Sequence, residues 1–255
     1  MSRYRHRRKS KSAAIYVPVA VLLVFFLVTM GTSVFLKILK IDVTGISKYT
    51  EEDIIIASGI IKGENMLLVN AGDVVRKIYA ALPYIQEVKV NFSLPDKVLI
   101  DVSETTAMAA IGYLDGAVLL DSAGRVLERA ENKPDGLIEV KGFMPIDVKV
   151  GTALRADPGD DTRLRRLKDI LPAIENAGIQ GDVSYLDVTD VGNVNLKYME
   201  QFTVIISGSG SALNRLGRLA DAVVEVKADS RYDATVSYKA ELSDQSGSWV
   251  WSPVG

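Results

Sequence analysis

From Ala13 to Leu36 the chain carries no charged residue and is mostly apolar, and the residues before it include Arg3, Arg5, Arg7, Arg8, Lys9 and Lys11 with no acid among them. As a helix, a run of this length reaches about 36 Å at ~1.5 Å per residue, enough to cover a ~30 Å hydrocarbon core with some tilt. Basic flanks stay in the cytosol. Residues 1–12 are therefore expected as a cytoplasmic tail, 13–36 as a single transmembrane helix, and everything after Leu36 outside the cytosol. The competing reading, a cleaved signal peptide, takes an apolar core of only about 7–15 residues and a small-x-small site, for which Gly31-Thr32-Ser33 is a weak match. The length of the run, with Tyr16 and Pro18 near its cytoplasmic edge, favours the retained anchor. A lipid bilayer is the first expected partner, and topology with anionic lipid accounts for the basic tail without nucleic acid.

Charge divides with the anchor. Of 30 Lys and Arg, six lie in the tail, so the exported part holds 24 bases against 32 acids, a net −8 that is no nucleic-acid surface. Cys is absent, which excludes disulfides, thiol catalysis and Cys-ligated metals. The single histidine, His6, lies in the tail, so Ser-His and Cys-His units and His-based zinc sites are also excluded from the exported part. No cofactor is expected.

Ile38–Thr44 has strand alternation and ends at Gly45. Thr50 before Glu51, Glu52 and Asp53 is an N-cap with an acidic first turn, predicting a helix to Ser58 that stops at Gly59. Asn70 and Asp73 open a second helix, whose stripe of Val74, Ile78 and Leu82 with Val75 and Tyr79 is closed by Pro83. The period then changes to two. Val88, Val90 and Phe92, the turn Leu94-Pro95-Asp96, and Val98, Ile100 and Val102 predict a hairpin with one buried face. This order resembles the POTRA domain, a small module that bacteria place beside membranes. Val43-x-Gly45, Gly59 with Asn65, Leu82-Pro83 with Ile85, Leu94-Pro95 and Glu104 carry the resemblance.

Past Thr105 the pattern is β-rich. Ala107–Ile111, Ala117–Asp121, Arg125–Glu128 and Leu137–Val140 are expected strands, with Asp121-Ser-Ala-Gly124 as a turn. A helix is predicted over Thr162–Ala177, with Leu164, Leu167, Leu171 and Ile174 on one face, a bend at Pro172 and a stop at Gly178. Strands Val183–Val188, Val194–Tyr198 and Thr203–Ile206 follow, then a helix over Ser211–Lys227 with Leu213, Leu216, Ala220 and Val223 on one face, then a strand over Ala234–Ala240. The whole chain resembles the FtsQ/DivIB family of bacterial cell-division proteins. The landmarks are Glu104 entering Met108-Ala-Ala-Ile111, Leu120-Asp-Ser-Ala-Gly124 with Val126, and Ile205-Ile-Ser-Gly208 leading to Leu213, Leu216 and Leu219, although Thr105-Thr106-Ala107 stands where the family carries a Pro. The expected fold class is α+β: a single N-terminal transmembrane helix, a POTRA-like β-α-α-β-β domain over 37–105, a larger β-rich domain with two helices over 106–240, and a C-terminal tail over 241–255.

Two motifs imitate ligand sites. Phe202–Ile206 with Gly208, Gly210, Leu213 and Asp229 mimics a dinucleotide fingerprint, but Leu213 occupies the third glycine position and no parallel strand-helix-strand pattern is expected around it. Asp187-Val-Thr-Asp190-Val-Gly-Asn193 lacks the alternate acids and terminal Glu of a calcium loop, and solvated turns explain it better. No Ser-Lys signature appears, so an enzyme is not expected.

The end of the chain is more informative. Ala234–Tyr238 alternates like a strand, and after the polar stretch Ser243–Ser248 come Trp249, Trp251 and Pro253, with both tryptophans of the chain among them. Two readings stand: an edge strand with aromatics offered to a partner strand, or rings folded back over the sheet. Ala234, Val236, Tyr238, Lys239, Trp249 and Trp251 are the candidate partner-binding residues. The resemblance implies that this end binds small FtsB/DivIC-like and FtsL-like bitopic proteins. It further implies a scaffold in the cell membrane at the division septum, coupling assembly to septal peptidoglycan synthesis. The alternatives are a membrane-anchored cell-wall enzyme and a secreted POTRA-containing transport component.

Overall fold

The computed structural model describes residues 13–207, 211–242 and 249–254. The cytoplasmic tail, Gly208 and Gly210 of the fingerprint, and the polar stretch Ser243–Ser248 lie outside the described residues. Helix α1 spans Ala13–Phe35, 23 residues. Its described side chains are those of residues 16–27, 31 and 35, with Tyr16 to Leu27 all exposed. Among the described residues no helix is long and apolar enough to cross a membrane, so the expected span over 13–36 is not demonstrated: the continuous run of described side chains falls short of the ~20 residues a crossing takes.

The chain forms two compact units, one of the residues up to Ile78 with Glu87–Ser103, the other of Tyr79–Gln86 with Glu104 onward. In the first, β1 (Lys40–Thr44), α2 (Glu51–Ser58), α3 (Ala71–Ala81), β2 (Ile85–Ser93) and β3 (Lys97–Glu104) follow in the expected order, with a 3-10 turn at Met66–Leu68. The sheet order is β1-β3-β2, and β1 runs parallel to β3 with Ile41 opposite Val98 and Val43 opposite Ile100. Thr50 and Asp53 form a complete capping box: the Thr50 hydroxyl accepts from Asp53 N–H, and the Asp53 carboxylate accepts from Thr50 N–H. The Thr50 hydroxyl also donates to the Asp53 carboxylate at 2.7 Å, and this bond, with the one from Thr50 N–H, holds the Asp53 carboxyl below its usual range. Gly45 sits at φ +83°, where a Cβ would lie 1.8 Å from the Val102 carbonyl oxygen. Ile38, Ile41, Ile54, Met66, Val74, Ile78, Val98 and Ile100 fill the core.

The second unit contains β4 (Ala109–Tyr113), β5 (Gly116–Leu120), β6 (Val126–Ala130), β7 (Ile138–Lys141), α4 (Asp161–Ala177), β8 (Val183–Asp187), β9 (Val194–Tyr198), β10 (Phe202–Ile206), α5 (Ser211–Asn214), α6 (Leu219–Ala228), β11 (Ser237–Leu242) and β12 (Trp251–Val254). Among the described residues they form one nine-stranded sheet in the order β12-β11-β10-β9-β8-β7-β4-β5-β6. The predicted Asp121–Gly124 turn is fixed by Asp121, whose buried carboxylate accepts from Arg125 N–H at 2.8 Å and Nε at 3.2 Å. Leu167, Ile170, Leu171 and Ile174 of α4 join the main core, while Ala110, Ala117 and Leu119 form a small separate cluster.

Three expectations are corrected here. The two-helix count fails, because the segment predicted as one helix over Ser211–Lys227 is α5, a 3-10 turn over Arg215–Arg218, and α6. Leu213, Leu216, Leu219, Ala222 and Val223 are buried: the 3-10 turn spaces the first three by three residues and brings Leu219 to the core in place of Ala220, which is turned out to solvent, while Val223 is buried as expected. The connection from β10 to β11 is a parallel crossover, Phe202 opposite Tyr238 and Ile206 opposite Leu242, so a strand-helix-strand unit does surround the Gly208 segment. The expected tail over 241–255 also contains strand: β12 folds back antiparallel on β11, with Ala240 opposite Trp251 and Tyr238 opposite Pro253.

Candidate functional site: the open edge of the large sheet

Strand β11 is not an edge. It lies between β10 and β12, and its first three predicted residues fall outside it: Ala234 and Thr235 are in a turn and Val236 in a bend before Ser237. The turn forms because Asp233 accepts from Thr235 N–H and Oγ1 at 2.8 and 2.7 Å, which also holds its carboxyl below the usual range. Gln201 Nε2 donates to the Val236 carbonyl at 2.7 Å and fastens this turn to β10. Backbone pairing with a partner is thus unavailable at Ala234–Lys239 while β12 is in place. The edge is β12 itself, with no further strand on its outer side among the described residues.

An aromatic cluster supports the edge. Phe202 is fully buried at the start of β10, stacked on Tyr238 at 5.9 Å and meeting Trp251 edge-on at 5.2 Å. Tyr238 stacks on Tyr232 at 5.5 Å, and Trp249 on Trp251 at 5.8 Å. Tyr238 is buried, and its hydroxyl accepts from Asp233 N–H at 2.8 Å. Both tryptophans are half-buried against the core, so the rings fold back over the sheet. Trp251 Nε1 is buried without a hydrogen-bond partner among the described residues. Lys239 is exposed opposite Ser252.

A groove of about 640 Å³ runs between α6, the 229–236 turn and β12, walled by Val226, Tyr232, Val236, Tyr238, Trp249 and Trp251. Val250 at its rim is 73% exposed, and Val254 at the end of β12 is 48% exposed. Asp229, also on the rim, takes both Arg231 side-chain donors, at 3.0 and 2.7 Å, and Arg231 N–H at 2.9 Å, which depress its carboxyl to about 2 and raise the guanidinium. Asp229 thus closes the turn after α6 and is not the ribose-binding acid of a nucleotide fold. Tyr238, Trp249 and Trp251 line one groove, and Phe202, Tyr232 and Gln201, which the sequence did not single out for this end of the chain, meet them from other elements and carry no local signal. Asp190 accepts from Gly192 N–H and Asn193 Nδ2, a turn closing on itself, and those bonds lower its carboxyl. Among the described residues no group of three acids or histidines could hold a metal ion.

The groove and edge offer aromatic and aliphatic surface beside a strand side that no other strand covers among the described residues, an arrangement suited to contact. Residues 36–105 match the family of POTRA domains of FtsQ type. The cell division protein FtsQ of Corynebacterium glutamicum is 30% identical over 160 residues, covering 60% of this chain and 71% of the relative. The cell division protein DivIB of Clostridium botulinum is 28% identical over 194 residues, 75% of each chain. The solved extracytoplasmic domain of the trans isomer of DivIB from Geobacillus stearothermophilus aligns at 12% identity with a TM-score of 0.30, over 51% of this chain and 99% of that one, too distant to bear on the fold. With the FtsQ-type module in place and a 30% identical relative aligned over 71% of its length, this chain belongs to the FtsQ/DivIB family of bacterial cell-division proteins.

Proposed function

We propose that the protein is a non-catalytic bitopic scaffold of the division machinery, anchored by α1 with residues 1–12 in the cytosol and both exported units at the membrane surface of the septum. In this role it captures FtsB/DivIC-like and FtsL-like partners and links their assembly to septal peptidoglycan synthesis. The reading is carried by β12, a four-residue strand with one open side, set beside an aromatic groove. A partner strand added there gains backbone hydrogen bonds, while Val250, Val254 and the groove supply side-chain contact. Membrane anchoring is supported by the 23-residue helix and by the uncharged run in which it lies.

Truncating Tyr238 to Ala would empty a buried position and disturb the fold it is meant to probe. Val250→Asp and Val254→Asp alter exposed positions instead. Co-purification of the full chain with FtsB/DivIC-like and FtsL-like proteins is expected to be lost in the double variant with unchanged thermal stability; undiminished capture refutes the assignment. A turnover assay on peptidoglycan separates the scaffold from a cell-wall enzyme, since the scaffold releases no product.

A further inference from the structure

The segment leaving α1 is stitched to the 3-10 turn of the first unit. Met66 N–H donates to the Leu36 carbonyl at 2.8 Å, one residue past the end of α1 at Phe35, and Lys37 bridges Asn65. Ile38 N–H donates to Glu64 at 3.0 Å, and Gly63 N–H donates back to Ile38 at 2.7 Å. Four large apolar side chains on these two stitched segments face water: Leu39 (60% exposed), Ile61 (68%), Leu67 (63%) and Leu68 (82%). None is needed in the core, which Met66 enters from the same turn. Lys37 and Lys62, both exposed, flank them.

Position names the occupant. With α1 across the bilayer, Leu36 lies where the hydrocarbon ends, and each leaflet continues outward as a headgroup layer of about 5–8 Å. Met66 is hydrogen-bonded to that point, and Leu67 follows it by one Cα step of ~3.8 Å. The turn therefore sits within the headgroup layer, where exposed leucines gain by entering the acyl boundary and flanking lysines gain from anionic lipid. We propose that Leu39, Ile61, Leu67 and Leu68 form a lipid-docking surface that seats the POTRA-type domain on the outer face of the membrane. The proposal rests on the anchor reading above. The seat makes the first unit's orientation part of the scaffold, in place of a domain swinging freely from its tether.

The absence of Cys makes the test direct. Single-Cys full-length chains, Leu68→Cys, Leu23→Cys in α1 and Lys89→Cys in β2, are labelled with an environment-sensitive dye and reconstituted in phosphatidylglycerol/phosphatidylethanolamine vesicles. Lys89 is exposed on the strand farthest from β1, about 20 Å back from the hairpin turn. Expected is strong quenching by lipid-borne nitroxide at positions 23 and 68, several-fold above that at 89, with Leu67→Asp sharply reducing it at 68 alone. Quenching at 23 combined with free access of aqueous iodide to 68 overturns the dock and leaves the anchor standing. No lipid quenching at 23 overturns the anchor and the dock with it. Shielding of 68 from both quenchers shows that a second copy of the chain covers the patch, and also overturns the dock.

Discussion

Replacing Trp251 tests the physical account of the open edge most sharply, because two effects of opposite sign meet in one side chain. Truncating a fully buried Trp costs ~3–5 kcal/mol. Trp251 is half-buried, so about 2–3 kcal/mol is at stake, including its edge contact with Phe202 at 5.2 Å. Against this, its Nε1 is buried with no partner among the described residues, which costs the folded state about 1–3 kcal/mol. Trp251→Ala loses the first and relieves the second, so its net cost is at most about 2 kcal/mol. Trp251→Phe keeps a ring against Phe202 and removes the orphan N–H, so stability is expected to equal or exceed that of the parent. The assay is urea unfolding of the full chain in detergent. The only other tryptophan is Trp249, 5.8 Å away in the parent, so fluorescence reports this end of the sheet and not the first unit. With a urea slope of about 2 kcal/mol/M, Trp251→Ala lowers the midpoint by up to about 1 M and Trp251→Phe does not lower it. A Trp251→Phe midpoint as low as that of Trp251→Ala refutes the opposed-terms argument.

Two glycines and one carboxylate give further tests. Gly45→Ala places a Cβ 1.8 Å from the Val102 carbonyl at φ +83°, whereas Gly63→Ala at φ +93° meets open space. Both carry the left-handed cost of ~1–2 kcal/mol, but only Gly45→Ala adds a clash; hydrogen exchange of β1 and β3 amides should accelerate far more for Gly45→Ala, and equal acceleration contradicts the geometry. Asp229 titrates at about 2 because the Arg231 side chain, then its N–H, stabilises the carboxylate. Its folded value lies below the unfolded one, so its contribution is complete above about pH 4 and is lost as pH falls toward 2. Arg231→Ala should raise the Asp229 value toward 3.8 in a carboxyl NMR titration, and a value still near 2 would remove Arg231 as the cause.

How much was legible follows from how local each determinant is. The Thr50 cap, the Gly59 stop and the Val98-Ile100-Val102 alternation act within a few residues, and each is in place. The break of the second predicted helix was also written locally, as Leu213, Leu216, Leu219 at a spacing of three, but a 3.6-residue template follows such a stripe only to its second member and takes Ala220 in place of Leu219 as the third. The parallel crossover from β10 to β11 was not local. It depends on Phe202 meeting Tyr238, 36 positions on, and on Gln201 reaching Val236, and neither pair has a sequence signature.

The same non-locality explains why the edge was assigned one strand too early. Alternation at Ala234–Tyr238 says that a strand is near, and not which strand is last. What decides it is Trp251, whose ring finds Phe202 only once β12 has turned back across the polar stretch. The resulting edge is short and includes Pro253, which has no N–H to offer. Both features blunt indiscriminate pairing with other strands. A partner that docks there cannot rely on backbone bonds alone and must gain from Val250, Val254 and the groove as well. On this reasoning the proposed capture is selective because the ladder is poor, and substitutions on the exposed valines should weaken binding more than any change that merely lengthens the strand strengthens it.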